Sequence, residues 1–155
     1  MLGISESNDL EIMIKGEFYG EAVFKVASKA SLFNPQLKAK ASTIAQLETQ
    51  TKIRALDYCK NNGINAPKQT LDVVKGTIQG VFLPIVPWKM IMKIALKTID
   101  DHLPVLYRLE KDASDQDKAF FHYLVKHELA IKHFVRMELA NKPNESLDQI
   151  KALLD

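Results

Sequence analysis

The sequence predicts an all-α protein, a bundle of four long helices with a short helix at its C-terminus. Apolar residues recur with the helical period of about 3.6 along most of the chain. The six glycines and six prolines fall mainly between these periodic stretches. No Asn-Gly pair lies between alternating strands, and Asn62-Gly63 is typical of a helix end.

Composition sets the class of protein. A length of 155 residues, 46% of them hydrophobic and 26% charged, predicts one globular domain over residues 1–155. A net charge of +2 is too small to indicate a nucleic-acid partner. The single cysteine, Cys59, excludes a disulfide framework and fits a reducing compartment, so a cytoplasmic location is expected. Residues 1–9 are polar and acidic, so we do not expect them to form a signal peptide.

Six helical segments are predicted, two of them short. We expect them at about Asp9–Leu32, from Pro35 or Leu37 to Asn62, and at Thr70–Phe82, Trp88–Lys111, Ala113–Asn141 and Asn144–Leu154.

The predicted helix ends follow from the local residue types. Candidate N-caps for the first helix are Ser5, Ser7 and Asn8. Proline suits the first turn of the second helix at Pro35. A loop over residues 63–69 precedes the third helix.

Prolines, cap residues and loop residues define the remaining elements. Pro84 and Pro87 end the third helix, and Pro104 is expected to kink the fourth. Residues 113–115 and 144–146 offer caps for the last two helices.

The segment Gly80–Trp88 is unusually apolar for a connection, but it is too short and too rich in proline to span a bilayer. It favours a buried elbow or a dimer contact. The alternative is a peripheral membrane contact, with Trp88 at the headgroup level and Lys89 and Lys93 beside it.

Carboxylates and a histidine lie on helix faces that the apolar pattern predicts to be buried. Glu17 and Glu21 are one turn apart in the apolar stripe of the first helix, and Glu48 is central on the face of the second. His127 and Glu128 each lie about 50° from the centre of the apolar face of the fifth helix. A buried carboxylate is unfavourable unless it is paired, protonated or bound to a metal ion.

Structural interpretations of the same residues stay open. Glu21 and Glu110 could each pair with a basic side chain. His127 could be a core histidine that hydrogen bonds to a tyrosine or a carbonyl group. His102 and Glu110 lean towards the apolar side of the fourth helix.

The segments Gly16–Ala22 and Gln46–Lys52, with the pair His127-Glu128, resemble the ferritin-like superfamily. The resemblance implies a four-helix bundle with a long crossover between its second and third long helices, and in many members a di-metal centre. Glu17 would match the first-helix glutamate, and Glu48 and Glu128 those that open the two Glu-x-x-His motifs. Thr51 and Ile131 stand where those motifs have histidine.

The expected function is therefore metal binding, with iron as the first candidate and manganese as the second, at a di-iron or single-ion site. If the protein is an enzyme, it is expected to be an oxidoreductase that acts on oxygen or peroxide. The candidate ligands are Glu17, Glu21, Glu48, His127 and Glu128.

The alternative function is a non-catalytic helical protein with a structural Glu/His cluster, acting through protein or membrane-surface contacts. A homodimer is expected in either case.

Overall fold

The computed structural model describes residues 4–68 and 70–155. Every regular element among them is helical, which confirms the all-α class. The elements are α1 (Ile4–Ala30), α2 (Pro35–Asn61), α3 (Thr70–Phe82), a 3₁₀ turn (Leu83–Ile85), α4 (Trp88–Asp112), α5 (Lys118–Leu139) and α6 (Asp148–Leu154). Contacts divide the chain into two compact units, Met1–Ile85 and Val86–Asp155. The arrangement as one ferritin-like bundle stays a prediction.

In the first unit, α1 packs against both α2 and α3. The N-terminus of α2 is capped by Asn34, whose side chain accepts a hydrogen bond of 3.0 Å from the Leu37 amide. At its C-terminus Gly63 has a φ of 65°, and the Ile64 amide bonds the Cys59 carbonyl at 2.9 Å. Both predicted ends of α2 are therefore confirmed to within one residue.

The predicted start of α1 is wrong. This helix already includes Ile4, so Asn8 lies inside it and does not cap it. Serine and asparagine inside a helix are unfavourable by less than about 0.7 kcal/mol each, so they do not force a helix to begin. The side chains of the other two predicted caps, Ser5 and Ser7, lie outside the described residues, as does the loop residue Gln69.

Two glycines allow α3 to approach α1 closely. A Cβ atom on Gly76 would lie 2.5 Å from the carbonyl oxygen of Tyr19. A Cβ atom on Gly80 would lie 2.5 Å from the carbonyl oxygen of Val23. The Tyr19 hydroxyl also donates a hydrogen bond to Oε1 of Gln79. The small residues thus set the distance between these two helices.

In the second unit, α5 packs against α4 and α6. Its apolar core is built from large side chains on the facing sides of α4 and α5. The buried members include Met92, Ile99, Leu103, Leu106, Leu109, Phe121, Leu124, Val125, Ile131, Phe134 and Val135. Helix α4 continues through Pro104.

The end of α5 agrees with the prediction, but its start does not. Asn141 has a φ of 58°, and the Lys142 amide bonds the Met137 carbonyl at 2.9 Å, which closes the helix. Helix α5 begins at Lys118, several residues later than predicted. The Ser114 hydroxyl instead donates to Oδ2 of Asp117 at 2.6 Å, so these residues form a turn.

Helix α6 also begins later than predicted, at Asp148. The Ser146 hydroxyl donates to the Pro143 carbonyl at 2.8 Å, and residues 143–147 form turns. Serine side chains stabilise such turns as readily as they cap helices, so the residue type alone does not decide between the two.

The apolar segment Gly80–Trp88 contains both buried and exposed residues. Gly80 and Leu83 are buried, whereas Phe82 and Ile85 are exposed. The Trp88 indole N–H donates to Oε2 of Glu138 at 2.8 Å, within the second unit. None of the described helices combines the length and apolar character that are needed to cross a bilayer.

Candidate metal site

The first unit brings two of the predicted ligands together. Glu17 lies on α1 and Glu48 on α2, and a carboxylate oxygen of one lies within 4.8 Å of a carboxylate oxygen of the other. Glu48 is buried, with 7% of its surface exposed, while Glu17 is partly exposed. Two carboxylates at this separation repel each other when both are ionised, and a shared proton or a bound cation relieves the repulsion.

Gly20 provides the space for the Glu48 carboxylate. A Cβ atom on Gly20 would lie 2.8 Å from Cδ and 2.8 Å from Oε2 of Glu48. Gly20 follows Glu17 by three residues, so both face the same side of α1. By contrast, a Cβ atom on Gly16 would meet no other atom within 4 Å. The Gly20 position therefore forms a fitted recess for a carboxylate on α2.

Glu21 lies in a cluster of hydrogen-bond donors. Its Oε1 accepts from Lys25 and from the Thr49 hydroxyl, each at 2.7 Å, and its Oε2 accepts from Lys52. Burial alone raises the pKa of Glu21, but these hydrogen bonds and the lysine charges outweigh burial and lower the pKa to about 2. The ion-pair alternative therefore describes the contacts of Glu21 in this structure.

In the second unit, His127 is almost fully buried on α5, with 3% of its surface exposed. Burial lowers the pKa of His127, although the charge of Glu128 opposes that change. A neutral imidazole is thereby favoured, and it is the form that binds a metal ion through nitrogen.

Two glutamate–histidine contacts join α4 and α5. Glu128 on α5 contacts a histidine on α4, and Glu110 on α4 contacts a histidine on α5. Oε1 of Glu128 lies 3.4 Å from Nδ1 of His102, and Oε1 of Glu110 lies 2.6 Å from Nδ1 of His122. The hydrogen bond to Glu128 raises the pKa of His102, and burial opposes it. The predicted ligand Glu128 therefore faces the imidazole of His102 in this structure.

Sequence reasoning missed several partners within these units. Lys25 follows Glu21 by four residues, and this spacing is a signal that could have identified the pair. Thr49 and Lys52 reach Glu21 from α2, and only the register of α1 against α2 brings them there. The bond from Trp88 to Glu138 likewise depends on how α4 lies on α5.

Comparison with protein-family models, curated proteins and solved structures finds no match to this chain. The resemblance to the ferritin-like superfamily therefore stays a prediction from the residues quoted above.

Proposed function

We propose that the protein binds a divalent metal ion through Glu17 and Glu48, and that the ion is iron. The observation that carries this proposal is the approach of their carboxylate oxygens to within 4.8 Å. Two oxygens that bind one ion at about 2.1 Å each are at most about 4.2 Å apart. A shift of roughly half an ångström in either side chain is therefore enough to bring both oxygens to one ion.

The donor types support iron over harder cations. Carboxylate oxygen alone suits magnesium, calcium or manganese, whereas added imidazole nitrogen favours iron or zinc. The sequence predicts one imidazole ligand, His127, whose burial and favoured neutral state suit metal binding. Bound iron would supply redox chemistry towards oxygen or peroxide.

Two of the predicted ligands have another role in this proposal. Glu21 accepts from two lysines, so its charge is already compensated and it helps to fix α1 against α2. Glu128 pairs with His102 in the same way between α4 and α5. The proposed ligands within the first unit are therefore Glu17 and Glu48, and His127 stays a ligand predicted from the sequence alone.

The test is metal content and affinity of the full chain. We expect wild-type protein from iron-supplemented cells to contain stoichiometric metal by mass spectrometry, and Glu17→Gln or Glu48→Gln to weaken Fe(II) binding at least tenfold. Glu11→Gln is the matched control, because Glu11 is an exposed glutamate on the same helix. Metal-free wild-type protein that takes up neither Fe(II), Mn(II) nor Zn(II) would contradict the proposal. His127→Ala tests the nitrogen ligand separately.

A second pair of variants tests whether the position of the Glu48 carboxylate matters, without removing a ligand. Gly20→Ala places a methyl group where the Glu48 carboxylate lies, so we expect it to weaken metal binding about tenfold or more. Gly16→Ala adds the same methyl group in open space and serves as the control. Equal affinities for the two variants would show that the Gly20 recess does not position a ligand.

A second candidate function, a helical interaction protein, is favoured by the exposed face of α3. While Gly76 and Gly80 face α1, large apolar side chains on the same helix are at least half exposed. They are Leu71, Val74, Ile78, Val81 and Phe82. An apolar face of this kind marks a contact surface, and we propose that it pairs with a second copy of the chain.

Light scattering after gel filtration tests the dimer. We expect wild-type protein to be dimeric and Ile78→Glu to be monomeric, because a charge in the middle of an apolar contact is strongly unfavourable. Ile53→Glu is the control, since Ile53 on α2 is 52% exposed and Ile78 is 54% exposed. A monomeric wild-type protein at high concentration would contradict the dimer.

A further inference from the structure

The region around the start of α4 carries positive charge without negative charge. From residue 73 to residue 99 the sequence contains four lysines and no aspartate or glutamate. Three of the lysines, Lys89, Lys93 and Lys97, follow one another at intervals of four on α4. Residues at this spacing lie on one side of a helix.

These three lysines are exposed, and none of them forms a salt bridge with a described residue. Asp100, the first acidic residue along the helix, is engaged elsewhere, because its Oδ1 lies 2.6 Å from Nζ of Lys132. The stretch of α4 from Lys89 to Lys97 therefore carries three positive charges and no negative charge, and the exposed Asp101 lies one turn beyond it.

Two large apolar side chains lie beside the lysines. Met90 is 53% exposed and Ile94 is 58% exposed, although Met92 and Ile99 of the same helix are buried. Met90 lies roughly 160° around the helix from Met92, so it occupies the centre of the exposed side. Apolar side chains at such a position are stabilised when a binding partner removes them from water.

We propose that this α4 basic face, formed by Lys89, Met90, Lys93, Ile94 and Lys97, docks on a membrane surface that contains anionic lipid. Lysines near such a surface are attracted to its negative charge, and adjacent apolar side chains enter the boundary between headgroups and acyl chains. The combination favours lipid over an acidic protein segment, because an acidic segment would leave Met90 and Ile94 in water. The inference is independent of the proposed metal site.

The location of the contact differs from the elbow that the sequence indicated. The Trp88 indole N–H is engaged by Glu138, and the Trp88 ring packs edge-on against Phe134 with centroids 6.2 Å apart. Trp88 therefore anchors the start of α4 within its own unit. The lysines and apolar residues that follow it carry the proposed contact.

Flotation of the full chain with vesicles tests the proposal. We expect binding to vesicles of phosphatidylcholine with about one third phosphatidylserine, little binding to phosphatidylcholine alone, and weaker binding at high salt. The triple variant Lys89→Gln, Lys93→Gln and Lys97→Gln should bind on the order of 100-fold more weakly, since each lysine near the surface contributes about 1 kcal/mol, or roughly fivefold. Circular dichroism checks that each variant stays helical.

A matched triple variant in the same unit separates a specific face from net charge. Lys118→Gln, Lys126→Gln and Lys142→Gln removes the same charge from other exposed positions and should leave vesicle binding nearly unchanged. Equal losses of binding for the two triple variants would overturn the proposal. Failure of the wild-type protein to float with any anionic vesicle would also overturn it. Binding to soluble polyglutamate without binding to vesicles would overturn it in favour of an acidic protein partner.

A fluorescent label reports on apolar insertion. We expect an environment-sensitive dye on Ile94→Cys to shift to the blue with anionic vesicles, while the same dye on Lys126→Cys does not shift. Cys59, the native cysteine, is buried, and burial raises the pKa of its thiol, so it reacts slowly with the dye. An unshifted dye at position 94 on bound protein would overturn the insertion of the apolar residues.

Discussion

The two units differ in how carboxylates are paired between their helices. In the second unit, carboxylates meet basic partners across α4 and α5, as Glu128 meets His102 and Asp100 meets Lys132. In the first unit, Glu21 is surrounded by lysines, but Glu17 and Glu48 bring two carboxylate oxygens near each other. Paired opposite charges fix helices against one another, whereas neighbouring like charges favour the binding of a cation. The first unit is therefore where chemical function is expected.

The units also differ in packing. The interface of α1 with α3 depends on two glycines, while α4 and α5 pack through leucines and phenylalanines. An interface based on glycine has no room for added atoms, and an interface of large side chains has more freedom to repack.

The largest effect is expected at the glycine interface. Gly76→Ala and Gly80→Ala each place a methyl group 2.5 Å from a backbone carbonyl oxygen, which cannot move without shifting α1. Each substitution should lower the free energy of unfolding by about 1–3 kcal/mol, and the double variant by about 2–5 kcal/mol. Chemical denaturation measures the change.

Gly16→Ala is the control for these two variants. It lies in a helix with no atom near the added methyl group, so it should raise the free energy of unfolding by roughly 0.5–1 kcal/mol through helix propensity. Destabilisation of similar size in all three variants would contradict the role given to the interface.

A smaller, pH-dependent effect is expected at Glu21. Its pKa falls from 4.5 to about 2 on folding, so its stabilisation is present above pH 4.5 and disappears as the pH falls towards 2. Lys25, one of its partners, is half exposed, and solvent screening reduces the contribution to about 1–2 kcal/mol. The difference in unfolding free energy between wild type and Glu21→Gln should therefore shrink between pH 4.5 and pH 2.5.

Glu11→Gln provides the comparison for Glu21. Glu11 pairs with Lys15 at 2.6 Å, but both side chains are exposed, so we expect little change in stability at any pH. A wild-type advantage over Glu21→Gln that stays constant down to pH 2.5 would refute the assigned ion pair.

The smallest effect, with the opposite pH dependence, is expected at His102 in the second unit. Glu128 raises the pKa of His102 above 6.5, so the stabilisation is complete below pH 6.5 and is lost as the pH rises through the folded-state pKa. His102 is about one third exposed, so the contribution is expected to be about 0.2–1 kcal/mol. His102→Gln should be more destabilising at pH 6 than at pH 9, measured with a chelator present.

A double-mutant cycle with Glu128→Gln identifies the partner. In that background the pH dependence of the His102→Gln effect should disappear. A pH dependence that persists without the Glu128 charge would assign the effect to another group.

Much of the fold followed from residue types. Gly63 and Asn141 end helices because glycine and asparagine adopt positive φ readily, and Asn34 and Pro35 begin one for equally local reasons. The predicted starts at residues 113 and 144 failed because serine and its neighbours formed turns instead of caps.

The candidate site was predictable in part. The apolar pattern placed Glu48 on the buried face of α2, and Glu48 is buried. The same pattern could not distinguish Glu21 from Glu17, which differ in their partners and not in their helical position. Thr49 and Lys52 reach Glu21 from α2, so these two contacts depend on the register between the helices.

The sequence by itself determined which residues are helical, where most helices end and which faces are buried, because these properties depend on neighbours within one or two turns. The tertiary structure decided which carboxylate contacts lysines, which contacts a histidine and which lies beside another carboxylate. Contacts of this kind join residues that are distant along the chain, as Glu21 and Lys52 are. Local patterns carry no information about the alignment of two helices, so only packing could assign these roles.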